Sequence, residues 1–442
     1  MTDDKTLQPL GGLKMNSTQN KKLNQVTEDM LLIGTDVGEN THFARACDWR
    51  GYEVSRRAFK FQNSREGFET FLAWTQEMMK KGGKKKLLVG CEPTGCYWFT
   101  FQHYLKKHGI RLVLVNPFSV NRSKELDDNS PEKDDEKDPK TIVGLMKDGR
   151  YCDPYVPEGI YAEIREAQNC RDQIMKQHVR LSNQIQGWLQ EYFPEYLGCY
   201  KKFDSESGML LLMKAALPKD IVALGAEGIN QIWRDAKLRA VGMKRAQTLL
   251  EAARTSVGVE GGTGARMAIQ ILIEDYRKKQ EQLGMVEKLL EEAVMKVPNV
   301  EKLLAIKGVG LNTVAGFIAE VGDIGRFTDP KQIQKIAGLE IVKSSSGKRK
   351  GKPRISKRGR VRLRRVLYEA AGSLTSWDEA FHEVFLYYRK REKHPLGRMQ
   401  ARIAVACKVI RVFYVILKTG CDYDQEKLRT DIRRPETLAD AA

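Results

Sequence analysis

The chain has 442 residues, 41% of them hydrophobic, enough to bury two or three domains. Its 75 Lys and Arg outnumber 57 Asp and Glu for a net charge of +18, which favours a polyanionic partner but says nothing of sequence preference or catalysis. The eight Cys show no metal-ligand spacing and read as thiols in a reducing cytoplasm, while the apolar stretch 401–417, interrupted by Arg402, Lys408 and Arg411, is shorter than the ~20 residues of a membrane span.

In chain order, residues 1–27 are polar, resemble neither a signal peptide nor an anchor, and read as a disordered extension through about residue 25. A first domain is expected over 28–155. Residues 31–37 form an apolar strand, 38–40 a turn, and 42–47 and 57–61 two further strands of a meander. Residues 66–81 place Phe68, Phe71, Leu72, Trp74 and Met78 mostly on one helical face. A strand at 87–90, a helix at 97–108 and a strand at 112–116 follow. Three strands followed by alternating helix and strand is the order of an RNase H-like sheet, an α/β arrangement.

Asp36 stands near the end of the first strand, in Met30-Leu-Leu-Ile-Gly-Thr-Asp36-Val, where an uncompensated carboxylate is costly to desolvate. Glu92 follows the fourth strand, and Asp135 and Asp138 come after the fifth. Acids at the ends of neighbouring strands are one way to build a two-metal site for phosphodiester chemistry, and Mg2+ needs only a few such oxygen ligands. A lone Asp at a strand end is more commonly a turn former, so the argument rests on the set. The segment 125–138 has eight Asp or Glu against two Lys and also reads as a solvated loop. Pro139 suits the first turn of a helix, which predicts Asp138 as its N-cap; Asp134 remains an alternative to Asp135.

Residues 156–296 read as a helical, coiled-coil region. Two long helices, 161–192 and 267–294, flank a small helical insertion at about 200–262. In the second helix Ile269, Tyr276, Leu283 and Leu290 recur every seven residues, with Ile273 and Val294 on the companion seam position; Gln280 and Glu287 interrupt it. An arm pairing with a second subunit and a helix pair within one chain are both open. A mostly helical domain over 297–425 opens with Lys307-Gly-Val-Gly310, a hairpin between helices that offers backbone N–H groups to a phosphate or is simply a tight turn. Residues 343–368 hold twelve Lys or Arg and no acid, among them Lys343, Lys348, Arg349, Lys350, Lys352, Arg354, Lys357, Arg358 and Arg360. Such a run is either solvated surface or a nucleic-acid contact; beside a carboxylate site the latter is favoured. It contains Ser344-Ser-Ser346-Gly347, by itself a flexible loop. The charged tail 426–442 is expected to be loose.

The order and spacing of several motifs resemble the DEDD insertion-sequence transposases, relatives of the pilin-gene invertases described as bridge-RNA-guided recombinases. The motifs are Gly34-Thr-Asp36, Glu92-Pro-Thr-Gly-Cys-Tyr-Trp98, Asn116-Pro117 and Lys133-Asp-Asp135-Glu-Lys-Asp138-Pro139. The resemblance resumes at Ile306-Lys-Gly-Val-Gly310 and continues through Phe327, Gly338-Leu339, Ser346-Gly347 and Leu363-Arg-Arg-Val-Leu-Tyr368. In the third acidic motif Asp134 replaces the family's Thr, and Pro139 its Ala.

The resemblance implies a RuvC-like domain in which Asp36, Glu92, Asp135 and Asp138 hold Mg2+, two ions per site. It also implies a second domain in which Ser346 attacks DNA and becomes joined to one strand end. Ser344 and Ser345 are the alternatives. Double-stranded donor and target DNA, a non-coding guide (bridge) RNA and a homo-oligomer, a dimer assembling to a tetramer, would be the partners. The location would be the bacterial cytoplasm, at the nucleoid. Two other readings stand beside it: a resolvase-like nuclease using the acids and water, and a non-catalytic nucleic-acid-binding protein.

Overall fold

The computed structural model describes residues 18–127, 137–200, 202–239, 241–342, 345–346, 349–351, 353–430 and 432. The chain forms two compact units, Met1–Val156 and Pro157–Ala442.

In the first unit, helix α1 (Thr18–Leu23) precedes strands β1 (Met30–Val37), β2 (Thr41–Asp48) and β3 (Phe59–Gln62). Helix α2 (Arg65–Gly82), β4 (Lys86–Cys91), α3 (Tyr97–Lys107), β5 (Leu112–Val115), α4 (Pro117–Asp127), α5 (Asp138–Lys147) and β6 (Tyr151–Cys152) follow. The sheet order is β3-β2-β1-β4-β5-β6. The first three strands pair antiparallel, β4 runs parallel to β1, β5 parallel to β4, and β6 returns antiparallel. This mixed sheet is consistent with an RNase H-like domain.

Its two faces follow from strand alternation. Leu31, Ile33, Val37 and Val89 pack with Phe68, Phe71, Phe101 and Leu105 of α2 and α3. Leu32, Leu88 and Val113 pack with Val120, Ile142, Val143 and Met146 of α4 and α5. Ser64 caps α2 by accepting the Gly67 N–H at 3.1 Å, and Gly83, at φ +63, closes it.

The expectation of a loose extension through residue 25 needs correction. Thr18–Leu23 is helical, the Lys22 ammonium bonds the Tyr151 carbonyl, and the Tyr151 hydroxyl bonds Gln25 at 3.2 Å. Lys22 and Gln25 are held by Tyr151 of β6, a partner too short to be seen in the sequence.

The second unit is helical, built on two long helices, α6 (Ile160–Tyr192) and α11 (Thr263–Val294). They run antiparallel. Arg171 pairs with Glu287 at 2.7 Å, the His178 ring lies 4.2 Å from that of Tyr276, and the Trp188 indole donates to the Ala265 carbonyl at 3.0 Å. Ile269, Ile273, Tyr276, Leu283, Leu290 and Val294, the residues of the expected seam, are all buried. A helix of the same chain thus covers much of this face.

At one end of the pair, α7 (Tyr196–Cys199), α8 (Glu206–Lys214), α9 (Pro218–Asp235) and α10 (Met243–Arg254) enclose a core around Trp233, Tyr196 and Phe193. At the other end a larger core, including Phe317, Phe381 and Phe413, is formed by α12 (Val300–Leu304), α13 (Leu311–Val321), α14 (Pro330–Ile336), α15 (Val361–Trp377), α16 (Glu379–Lys390), α17 (Arg398–Thr419) and α18 (Gln425–Thr430). Four two-residue strands, β7 (Ile341–Val342), β8 (Ser345–Ser346), β9 (Arg349–Lys350) and β10 (Arg354–Ile355), stand between α14 and α15 in the chain.

Part of the expected loose tail is ordered as α18: Leu428 is buried and Arg429 pairs with Glu383 at 3.1 Å. The buried Asp378 carboxylate accepts from the Phe381 N–H, the Tyr423 hydroxyl and the Gln425 amide, fixing the approach to that helix. Among the described residues no helix is long and apolar enough to cross a membrane.

The packing predicts that Leu290→Ala, which empties a fully buried position between α6 and α13, costs about 2–5 kcal/mol. Leu289→Ala, at a neighbour 57% exposed, should stay within about 0.5 kcal/mol of the parent. Denaturant unfolding followed by circular dichroism distinguishes them.

Candidate active site

Two glycines position the acids of the first unit. β1 and β4 are paired in parallel with Gly34 opposite Gly90 and Thr35 opposite Cys91, which brings Asp36 and Glu92 to the same level at the ends of adjacent strands. A Cβ on Gly34 would stand 1.9 Å from the Pro139 carbonyl oxygen, and one on Gly90 2.3 Å from the Met146 sulfur. Both glycines therefore face α5 and let it approach the sheet closely. Strand alternation puts Asp36, two residues beyond Gly34, on that same face. Glu92 continues the same alternation beyond Gly90. Asp138 opens α5, one residue before the proline whose carbonyl touches Gly34.

Asp36, Glu92 and Asp138 are each partly buried. Burial, together with the negative charges of Asp36 and Glu92, pushes the neighbouring Cys91 thiol well up, so both carboxylates act on one sulfur. The first turn of α5 is tied down by Glu53, whose carboxylate meets Lys140 and Arg45, each at 2.6 Å. Those cations hold the Glu53 carboxyl below its ordinary range. The positive end of the α5 dipole also favours negative charge at Asp138.

Asp138 was expected to be the N-cap of a helix beginning at Pro139. It lies inside the helix instead, with Lys137 before it and no side-chain bond capping the end. Proline is equally at home anywhere in that first turn, because its missing N–H has no partner there. Asp135 and its alternative Asp134 lie outside the described residues. Among the described residues no three His, Cys, Asp or Glu are gathered closely enough to hold a metal ion. The donors at this edge are all carboxylate oxygens, which suit a hard divalent ion such as Mg2+.

In the second unit, Gly338 takes φ +67, and a Cβ there would meet the Arg358 carbonyl oxygen at 3.0 Å. This turn aligns the chain after α14 with the chain before α15. The Lys357 N–H donates to the Gly338 carbonyl at 3.0 Å, and β7 pairs antiparallel with β10. Between them β8 pairs antiparallel with β9, with Ser346 opposite Arg349. The Ser-Ser pair, a loop on composition alone, is thus part of a strand.

Of the expected nucleic-acid-binding residues, Arg354, Lys357, Arg358 and Lys307 are exposed. Arg360 is not a free surface cation: its guanidinium bonds the Glu320 carbonyl and lies 3.7 Å from the Glu320 carboxylate. Arg362 and Arg365 likewise turn toward Asp172 of α6, each at 3.8 Å. The buried Asp172 of α6 and the half-buried Glu320 of α13 thus hold the start of α15 through these arginines. Arg349 and Lys350 belong to β9, while Lys343, Lys348, Lys352 and Ser344 lie outside the described residues. The Lys307-Gly-Val-Gly310 turn joins α12 to α13. Gly308, at φ +89, packs on α15, where the Ser373 hydroxyl bonds its carbonyl at 2.7 Å, and Gly310 precedes the first turn of α13.

The pairing of Gly34 with Gly90 against α5 was the feature of this site least evident from the sequence. Its signal was the shared Gly-x-acid spacing of Gly34-Thr-Asp36 and Gly90-Cys-Glu92. Gly34→Ala is predicted to cost about 1–3 kcal/mol by driving α5 from the sheet. Gly144→Ala, within α5 where nothing would meet the added Cβ, should stabilise by about 0.5–1 kcal/mol. Thermal unfolding of both variants checks the pair. Iodoacetamide at pH 8 should label the exposed Cys96 and spare the buried Cys91 in the native protein, as read by peptide mass spectrometry.

Residues 33–194 match the sequence model of the IS110 DEDD family, described as a transposase, and residues 300–386 match that described as transposase of the IS116/IS110/IS902 family. The insertion element IS116 44.8 kDa protein of Streptomyces clavuligerus is 23% identical over 392 residues, covering 88% of this chain and 95% of that protein. The transposase for insertion sequence element IS1111A of Coxiella burnetii is 26% identical over 212 residues, 48% of this chain and 46% of its own. A putative transposase, y4qE, of Sinorhizobium fredii is 39% identical over 69 residues, 16% of this chain and 18% of its own. The first family match contains Asp36, Glu92 and Asp138, the second contains Ser346, and together they cover more than half of the sequence. The chain belongs to the IS110/IS116 family of insertion-sequence transposases, enzymes that cut and rejoin DNA.

Proposed function

We propose that this transposase exchanges DNA strands through a phosphoserine intermediate, with Asp36, Glu92, Asp135 and Asp138 as metal ligands and Ser346 as nucleophile. The observation that carries the metal half is the placement of Asp36 and Glu92 at the same end of the two central strands, on the face covered by α5, whose first turn holds Asp138. When bound, Mg2+ would supply positive charge to a scissile phosphate and lower the pKa of an oxygen nucleophile. The carboxylates' part is to fix the ions and keep the edge anionic until they bind.

The Ser346 oxygen forms a bond to phosphorus as it loses its proton, and the bond from phosphorus to the leaving sugar oxygen breaks. That oxygen takes up a proton and departs as a hydroxyl. Rejoining reverses the step: a hydroxyl from another DNA end attacks the phosphoserine, and the serine oxygen leaves and regains its proton. No energy cofactor is consumed, because one phosphodiester is conserved throughout. The basic stretch 343–368 supports the assignment, since cations beside the serine stabilise charge developing on the phosphate. Donor and target DNA, a guide RNA that reads both by base pairing, and a homo-oligomer complete the proposed assembly.

The test is trapping. Wild type, Ser346→Ala and Asp36→Ala are incubated with DNA sites, element RNA and Mg2+, then run on a denaturing gel. A covalent protein–DNA band in the wild type that both variants lose supports the reading. Cleavage without an adduct assigns the chain to metal-dependent hydrolysis by water. An adduct that survives Ser346→Ala moves the nucleophile elsewhere, to Ser344 or Ser345 first.

A further inference from the structure

The insertion built from α7–α10 has its own core and lies outside both family matches, which end at residue 194 and resume at 300. It is anchored on α11 by a two-point ion pair, in which the Arg266 guanidinium donates to both Asp220 oxygens at 2.8 and 2.6 Å. Such a module is rigidly attached, so a surface on it has a fixed place on the second unit.

One part of that surface is a concavity of about 630 Å³ between α7 and the start of α10. Arg239, Lys244 and Arg245 line it, Gly242 and Thr248 supply small or polar neighbours, and no lining residue is acidic. All three cations are exposed, and among the described residues none of them forms an ion pair. The Arg245 guanidinium is held 5.1 Å from the centre of the buried Tyr200 ring, so part of its conformational freedom is already lost. A basic concavity beside β2 of the first unit differs in this respect. There two acids, Asp48 and Glu53, stand among the lining cations, and Asp48 pairs with Arg50 at 2.9 Å.

Three uncompensated cations on a rigid, concave surface repel one another and are relieved by a partner with regularly spaced negative charge. We infer that the α7–α10 module is a docking surface for the phosphate backbone of a nucleic acid, with Arg239, Lys244 and Arg245 as its contacts. The wide, open concavity fits backbone contact without sequence preference. The inference presupposes a nucleic-acid-handling protein but not the serine chemistry, so it stands or falls independently of the nucleophile.

The test uses the full-length protein carrying Arg239→Glu and Lys244→Glu, with Lys278→Glu and Lys288→Glu on the exposed side of α11 as a control of equal charge change. Arg245 is left in place because it packs on Tyr200. Affinities for a structured RNA hairpin and for a duplex DNA are measured by fluorescence anisotropy across a salt series, after circular dichroism has shown each variant folded. The expected result is at least a tenfold loss for one of the two probes in the module variant, with the slope of log affinity against log salt falling by about 1.5–2. The probe that loses affinity identifies whether the bound backbone is RNA or DNA. Unchanged affinity and slope for both probes, or an equal loss in the control variant, overturns the inference.

Discussion

The first turn of α5 lies on the sheet at a separation that only a hydrogen at position 34 allows, and the acidic edge depends on that contact. Every larger side chain at Gly34 would meet the Pro139 carbonyl, and with it the residue that follows Asp138. Gly90 repeats the arrangement on the paired strand, against Met146 in the same helix. Each glycine precedes its acid by two residues, so the alternation that turns the glycine toward α5 turns the acid the same way. Fold stability and site geometry are thereby coupled: the packing that buries Val143 and Met146 also sets where Asp138 stands relative to Asp36 and Glu92.

The second unit solves a different problem. Its serine lies in a short ribbon whose base is set by Gly338, Lys357 and the β7–β10 pair, while α15 beyond it is clamped to α6 and α13 through Arg360, Arg362 and Arg365. Those arginines come from the same basic run as Arg354, Lys357 and Arg358, yet they bond to the protein itself. Part of a run of like charge therefore holds its own helix, and Arg365, still exposed, does so while facing solvent. Only exposed members can contribute to binding a polyanion.

Much of the sheet was legible in the sequence because its signals are local. The apolar run at Leu31–Val37, the helical spacing of Phe68, Phe71 and Met78 and the Gly34-Thr-Asp36 motif each fall within a few residues. Strand β6, two residues long, and helix α1 left no such signal, since both exist through contacts between Lys22, Gln25 and Tyr151 more than a hundred positions apart. The heptad of Ile269, Tyr276, Leu283 and Leu290 correctly marked a buried face. The identity of its partner was invisible, because an antiparallel α6 and a second subunit demand the same apolar pattern. The partner of Arg360 was hidden for a related reason: charge is written in the sequence, but the backbone carbonyl of Glu320 that engages it is not. Asp138 was shifted by one residue because proline fits more than one position of a first turn.

The central claim is that the acids beside α5 hold a divalent metal, and Mn2+ binding to the purified chain measures it most directly. Electron paramagnetic resonance should show bound Mn2+ that Mg2+ displaces, with affinity reduced at least tenfold in Asp36→Asn, Glu92→Gln and Asp138→Asn and unchanged in Glu379→Gln, an acid in the first turn of α16. Equal Mn2+ affinity in the parent and all three site variants, with each variant folded, would contradict the account.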